Sequence, residues 1–171
     1  MKSRQYSTIK LVIAIACTAI ALTGPAQGDS SPTLSVKRLT MESANAVAQG
    51  AIAECRKQGV LAAVTVVDKN GIVQATLRDT LAPPVTLKIS KMKAYTAANF
   101  SVDTSTMDRL ANSPVGRIDG VVMSAGGVVI QIGGVIYGGI GVSGAPTGDI
   151  DEKCAKAGLA AVADDLEMAD E

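Results

Sequence analysis

The glycine-rich stretch at residues 126–146 is the part of the sequence whose spacing first raises a chemical function. It holds eight of the chain's 17 glycines and contains GIGVSG at 139–144, a formal match to the G-x-G-x-x-G pattern. In dinucleotide-binding proteins this pattern ends a strand, opens a helix directly and holds a pyrophosphate at the helix N-terminus. A nucleotide site is therefore the first function to weigh.

The elements around the glycines argue against that site. Residues 128–132 and 135–142 are predicted to be two strands joined by the tight turn Gly133-Gly134, and a loop at 143–148 separates them from the last helix. Antiparallel strands joined by a two-residue turn do not form the parallel βαβ unit that a dinucleotide site needs. We expect the glycines instead to let another backbone or side chain approach the returning strand closely.

Composition excludes several other functions. The chain has no histidine and no tryptophan. The Ser-His-Asp triad, histidine-zinc sites and histidine general bases are thus excluded. Beyond residue 28 there are 13 basic and 16 acidic residues, a net charge of −3, and the aromatic residues are Tyr95, Phe100 and Tyr137. Without a basic patch or a stacking platform, nucleic acid is not an expected partner.

Residues 1–28 have the pattern of a secretory signal peptide. Three basic residues within the first ten precede a twelve-residue apolar run at 11–22, and a small-x-small sequence ends at Gly28. The run is too short to span a bilayer comfortably. We predict cleavage near Gly28, a periplasmic or secreted protein, and no membrane span in the mature chain.

The mature chain has two cysteines, Cys55 and Cys154, which are 99 positions apart. In an exported domain such a pair favours one disulfide, because the compartment is oxidising. Two separately buried thiols are the alternative.

The order of predicted elements defines the fold class. A helix capped by Thr40 precedes a hairpin of a buried strand at 60–67 and a half-exposed strand at 72–78. Helices follow Pro83-Pro84 and Thr104, then comes the glycine hairpin. A last helix has Asp149 as its N-cap and carries apolar residues through Leu166. We predict an α/β (α+β) fold, with a flexible leader at 29–38 and a single domain at 39–171.

Three stretches carry a resemblance to a known family: VTVVDKNGIVQATLRD, KMKAYTAANF and GGVIYGGIGVSGAPTGDIDEKCAKAG. They resemble the GlcG/HbpS family, which is associated with haem binding and is similar to the C-terminal domain of PduO-type proteins. The likeness runs from about Leu39 to Leu166. It implies a profilin-like sandwich, with a central antiparallel sheet, the first and last helices on one face, the middle helices on the other, and a homo-oligomeric assembly. Cys55 and Cys154 could then meet if the two terminal helices run antiparallel.

The resemblance also implies haem as a cofactor. Haem iron takes His, Met, Cys or Tyr as its axial ligand. Because the chain lacks histidine, the candidate axial ligands are Tyr95, Tyr137, the methionines of the mature chain and a free cysteine. Tyr95 is preferred because it lies in the motif at 93–97, and packing of its ring between helix and sheet is the alternative.

A second hypothesis is that the domain binds, or acts on, a small anionic organic metabolite such as a carboxylate. Arg78 and Lys93 could pair with the carboxylate, and Tyr95 or Lys93 could transfer protons. An Arg78–Asp79 salt bridge and a surface contact of Lys93 are the structural alternatives. The polar residues at motif positions are Arg78, Asp79, Lys93, Tyr95, Thr96, Asn99 and Ser143.

A third hypothesis is a structural or partner-binding subunit, because low charge and many alanines and glycines favour tight subunit packing. Ser143 has no neighbouring base that the sequence identifies, so a serine nucleophile is not predicted. We therefore expect a haem- or small-ligand-binding protein that is not an enzyme, and no metal site of its own.

Overall fold

The computed structural model describes residues 32–169, so the predicted signal peptide lies outside the described residues. The chain divides into two units, Met1–Leu34 and Ser35–Glu171. The elements of the second unit are the helices α1 (Met41–Lys57), α2 (Val85–Phe100), α3 (Gly148–Ala160) and α4 (Ala163–Met168), the strands β1 (Ala63–Asp68), β2 (Val73–Arg78), β3 (Gly127–Ile132) and β4 (Val135–Ser143), and the 3-10 turns Thr104–Leu110 and Val115–Arg117. No helix within residues 32–169 is long and apolar enough to cross a membrane.

The four strands form one sheet in the order β2-β1-β4-β3, and each neighbouring pair is antiparallel. Both hairpins turn where the sequence predicts: Gly71 has φ +79°, and Gly133 and Gly134 have φ +56° and +83°. Glycine adopts this left-handed region without the steric cost that other residues meet. The predicted antiparallel α+β architecture is confirmed.

Strand β1 shows how the sheet carries helices on both faces. Its six residues are all buried. Successive side chains of a strand point to opposite faces. Val64 and Val66 pack with the alanine-rich surfaces of α1 and α3, whereas Val67 packs with Ala94 and Ala98 of α2.

Gly127 of β3 and Gly139 and Gly141 of β4 form the surface on which α2 packs, which we call the glycine floor. Gly127 and Gly141 lie directly opposite each other across the two strands. A Cβ atom on Gly141 would lie 2.0 Å from the Ser90 carbonyl oxygen, and one on Gly127 would lie 2.5 Å from the Lys93 carbonyl oxygen. The backbone of α2 therefore rests on the sheet where no side chain intervenes, and the predicted close approach at these glycines is confirmed.

The disulfide joins the two helices on the opposite face. Cys55, near the end of α1, is bonded to Cys154, at the middle of α3, and both are fully buried. A Cβ atom on Gly158 would lie 2.5 Å from the Val47 carbonyl oxygen, so the later part of α3 contacts the earlier part of α1. The two helices are thus antiparallel, as the pairing requires.

The last helix differs from the sequence prediction at both ends. Its N-cap residue is Thr147, in an extended conformation, and Asp149 lies in the first turn. The first helical residue is Gly148, where a Cβ atom would lie 2.8 Å from the Ala125 carbonyl oxygen, so the position needs a glycine. The helix is interrupted at Val162, where φ is −129°, and a short α4 follows. Val162 and Leu166 are both buried against the core.

A buried ion pair connects α2 to α3. Lys93 Nζ lies 2.8 Å from Asp151 Oδ2, and the two side chains are 4% and 5% exposed. The amide of Ala145 donates to the other carboxylate oxygen. Gly126 provides the space, because a Cβ there would lie 2.6 Å from Lys93 Nζ. Burial raises the pKa of Asp151 above its ordinary value, and the hydrogen bonds from Lys93 and Ala145 offset part of that rise.

We predict that Gly141→Ala destabilises the protein by about 3 kcal/mol or more, because the new methyl group meets the backbone of α2, which cannot move away as a side chain could. Urea unfolding followed by circular dichroism measures the loss. Gly120→Ala is the control: φ is +85° there, but no atom lies within 4 Å of the added Cβ, so only the backbone strain of about 1–2 kcal/mol is expected. Equal losses in the two variants would contradict the close contact.

We also predict that Lys93→Met costs about 3–5 kcal/mol of unfolding free energy, because it leaves the Asp151 carboxylate buried without its cation. The double variant Lys93→Met/Asp151→Asn is expected to be more stable than Lys93→Met, since the amide oxygen still accepts from Ala145. Lys156→Met removes the exposed partner of Glu152 and is expected to cost under about 1 kcal/mol. A double variant less stable than Lys93→Met would show that the carboxylate needs no pairing.

Candidate functional site

A cleft of about 820 Å³ lies between α2 and the segment at 116–121. That volume falls in the range of small-molecule and cofactor sites, which is about 300–1,000 Å³. We call it the α2 cleft. The helix contributes Lys88, Lys91, Met92 and Tyr95 to its walls, and the facing segment contributes residues 116–121.

The helical spacing explains why four side chains of α2 share the cleft. Lys88, Lys91, Met92 and Tyr95 stand at positions i, i+3, i+4 and i+7, which lie along one side of an α-helix. The opposite side of α2 carries Ser90 and Ala94, which face the glycine floor. The helix thus uses one side for packing and the other for the cleft.

Thr96 holds the far wall in place. Its hydroxyl oxygen accepts from the amide of Val122 at 3.0 Å and donates to the Met92 carbonyl oxygen at 2.8 Å. Thr96 is fully buried and does not line the cleft. The hydroxyl therefore fixes the segment after residue 121 against α2.

Tyr95 stands at the centre of this arrangement. Its ring is half-buried and packs against the cluster of Met107, Val121 and Met123. On another side it meets Gly71, where a Cβ atom would lie 2.6 Å from the ring. Among residues 32–169, no group hydrogen-bonds to the Tyr95 hydroxyl. The Tyr95 ring thus packs against the protein, while its hydroxyl is available to a ligand.

The cleft carries a positive charge. Lys88, Lys91 and Arg117 line it and are exposed, and Asp119 is the acidic residue on its walls. Within the described chain, no carboxylate lies within ion-pair distance of any of the three cations. An anionic group entering the cleft would therefore meet cations that are not already neutralised.

Arg78 and Asp79 lie elsewhere, beside a second cavity of about 420 Å³ between α1 and the end of β2. They do not pair with each other. Asp79 accepts from Arg56, whose pKa is raised by that carboxylate, and Arg78 donates to the carbonyl oxygens of Thr80 and Ala82. The expected salt bridge between the two neighbours is wrong because Arg56 of α1 occupies the Asp79 carboxylate, while backbone carbonyl oxygens hold the Arg78 guanidinium.

The other predicted site residues are not gathered at the α2 cleft. Lys93 is committed to its ion pair with Asp151. Asn99 donates to the Tyr95 carbonyl oxygen at 2.9 Å. Ser143 is buried at the end of β4, opposite Ala63. Of the seven residues, Tyr95 lines the cleft and Thr96 supports it.

Sequence reasoning missed Lys88, Lys91 and Arg117, and it included Met92 only as one of the methionines that could ligate haem. The two lysines could have been found from their i and i+3 spacing with Met92 at i+4 and Tyr95 at i+7. Arg117 could not, because no periodicity places an irregular segment against a helix. Within residues 32–169 there is also no cluster of three or more His, Cys, Asp or Glu residues that could hold a metal ion.

Comparison with known proteins assigns the fold to a family. Residues 39–160 match the model of the family described as haem degrading protein HbpS-like. A crystal structure of a double mutant of HbpS from Streptomyces reticuli is 37% identical, with a TM-score of 0.71, over 80% of this chain and 95% of that chain. A structure of HbpS is 38% identical, with a TM-score of 0.71, over 75% and 93% of the two chains.

A more distant structure shares the fold. The crystal structure of a PduOC:heme complex is 23% identical, with a TM-score of 0.67, over 73% of this chain and 95% of that one. No curated protein sequence matches the chain. The family match covers most of the described residues, and the two HbpS structures resemble this chain in sequence as well as in architecture. The chain therefore belongs to the HbpS-like family.

Proposed function

We propose that this protein binds haem in the α2 cleft. The observation that carries the proposal is the Tyr95 hydroxyl, which has no hydrogen bond among the described residues and lies in a cleft with Met92 and three unpaired cations. Membership of a family described as haem degrading supports haem as the ligand.

The donor set of the cleft fits haem. Tyrosine and methionine are both known axial ligands of haem iron, and Tyr95 and Met92 line the same cleft. When bound, haem would supply iron-centred redox or oxygen chemistry.

The surrounding residues would hold the rest of the molecule. Lys88, Lys91 and Arg117 would bind the two propionates, because charge-assisted hydrogen bonds to carboxylates are about twice as strong as neutral ones. Ile118 and Val121 would contact the apolar macrocycle and exclude water from that side.

We further propose that the protein is a binder rather than an enzyme. Without histidine, the chain offers no imidazole as a proximal ligand or proton carrier. In the cleft, any proton transfer would depend on the Tyr95 hydroxyl, the ammonium groups of the two lysines or the Asp119 carboxylate.

We predict that Tyr95→Phe shifts or removes the Soret band formed when haem is added to purified protein, because the variant loses the phenolate that would ligate iron. Absorbance titration measures both the band position and the affinity. Tyr137→Phe is the matched control, since Tyr137 is buried in the core and does not line the cleft. Met92→Leu identifies the ligand if the thioether is used instead.

Two further outcomes separate the parts of this proposal. Lys88→Gln/Lys91→Gln is expected to weaken haem affinity by about tenfold while leaving the band position unchanged. Unaltered spectra and affinities in all these variants would place haem outside the α2 cleft.

A separate measurement tests whether the protein only binds haem. When ascorbate is added to the wild-type protein with haem, the haem spectrum is expected to persist, because a binder leaves the macrocycle intact. Bleaching with release of iron would instead demonstrate haem breakdown.

Export and self-association are the remaining parts of the proposal. The signal-peptide pattern at 1–28 and the buried disulfide both suit an oxidising compartment. Exposed apolar side chains such as Leu81, 78% exposed, and Val85, 58% exposed, support contact between copies.

We predict that the protein recovered from a periplasmic or culture-medium fraction begins at about Asp29 and elutes from a sizing column as a homo-oligomer. N-terminal sequencing and light scattering on the same sample measure both properties. Recovery of the full-length chain from the cytoplasm would contradict export, and a monomeric mass would contradict self-association.

A further inference from the structure

We propose that the cavity between α1 and the end of β2 is a second ligand site, for a small carboxylate that carries a neighbouring hydroxyl or ammonium donor. Its volume is about 420 Å³. Its lining includes Ile52, Ala53 and Arg56 from α1, Leu77 and Arg78 from β2, and Asp79 directly after β2. None of them lines the α2 cleft, so the two sites are separate.

Arg78 is positioned to bind an anion. One guanidinium nitrogen donates both to the Thr80 carbonyl oxygen at 3.2 Å and to the Ala82 carbonyl oxygen. These bonds fix the planar group and leave the Nε and second Nη donors free. Among residues 32–169 no carboxylate pairs with Arg78. Its charge is therefore both oriented and unneutralised at the cavity.

Arg56 provides a second fixed guanidinium. Its Nε and one Nη donate to the same oxygen of Asp79, with the Nε bond at 2.9 Å. The side chain is 62% exposed, so its other donors reach solvent. Two arginines held by protein acceptors, with one acidic residue beside them, give the cavity a net charge of +1. This arrangement suits one carboxylate group.

Asp79 identifies the second group on the ligand. The residue is 6% exposed, and its Oδ2 atom is buried without a hydrogen-bond partner. A buried acceptor that lacks a donor is costly, so a donor that completes it is favoured. Asp79 lines the cavity, so a turn of its carboxylate would bring this oxygen to a hydroxyl or ammonium next to the carboxylate of the ligand.

The apolar part of the lining limits the rest of the ligand. Ile52, Ala53 and Leu77 lie among the charged groups, so a short hydrocarbon body is accommodated. Inorganic phosphate carries the anion but no such body. The chemistry therefore fits a small 2-hydroxy or 2-amino acid better than a phosphate.

Isothermal titration calorimetry with lactate, alanine, propionate and inorganic phosphate tests the assignment. We expect lactate or alanine to bind at least about fivefold more tightly than propionate, which lacks the donor for Asp79, and more tightly than phosphate. Ala53→Glu is expected to abolish this binding, because the new carboxylate competes for the arginines from an exposed helix position. Arg78→Gln is expected to weaken it by about tenfold.

Matched substitutions away from the cavity complete the test. Ala160→Glu on α3 and Arg109→Gln should leave the affinities unchanged, and urea unfolding verifies that every variant is folded. No binding of lactate or alanine at millimolar concentration would overturn the proposal. So would equal affinity for propionate or phosphate, or unchanged binding in folded Ala53→Glu. Haem titration of the same variants is independent, because neither substituted residue in the cavity lines the α2 cleft.

Discussion

The contact between the backbone of α2 and the glycine floor of β3 and β4 is the constraint on which the rest of the structure depends. At Gly139 an added Cβ atom would lie 2.5 Å from the Ala94 carbonyl oxygen, so even an alanine would push the helix away. Glycine is otherwise unfavourable within a strand, because it loses more conformational freedom on folding than any other residue. The glycines of the floor therefore lower the stability of the strand itself, but they allow α2 to pack directly on the sheet.

The position of α2 then determines what each of its sides can do. The side toward the floor is closed, and Lys93 on that side reaches past Gly126 to Asp151. The outer side is left to the α2 cleft, where Tyr95 and Met92 stand between cations. A rigid helix therefore presents the cleft residues, which is the arrangement that keeps a binding site preorganised.

On the other face, α1 and α3 are joined both by the disulfide and by close packing of small residues. In the chain-entropy model, a crosslink that closes a loop of about 100 residues stabilises a fold by about 4.7 kcal/mol. The Lys93–Asp151 pair reaches the same helix α3 from the opposite layer. The sheet is therefore held between helical layers that are themselves connected at one end.

Much of this architecture could be predicted from the sequence, because it depends on local patterns. The two hairpins follow from alternation and from glycines at turns, and the N-cap of α1 is Thr40, as predicted, with Ser43 donating its amide to the side chain. Haem as a ligand followed from the family resemblance rather than from any local pattern.

Most of the failures share a physical cause: they concern contacts between residues far apart in the chain. The partner of Lys93 is 58 residues away and that of Asp79 is 23 residues away. Periodicity cannot report such distances, and it also cannot show that the segment at 116–121 folds back over α2. The interruption at Val162 was missed because the run of apolar residues continues through it.

A crystal structure of the protein with bound haem would locate the ligand. We expect haem between α2 and the segment at 116–121, with Tyr95 or Met92 at the iron and the propionates toward Lys88, Lys91 or Arg117. Haem bound on the face that carries α1 and α3, or ligated by no residue of the α2 cleft, would contradict this expectation.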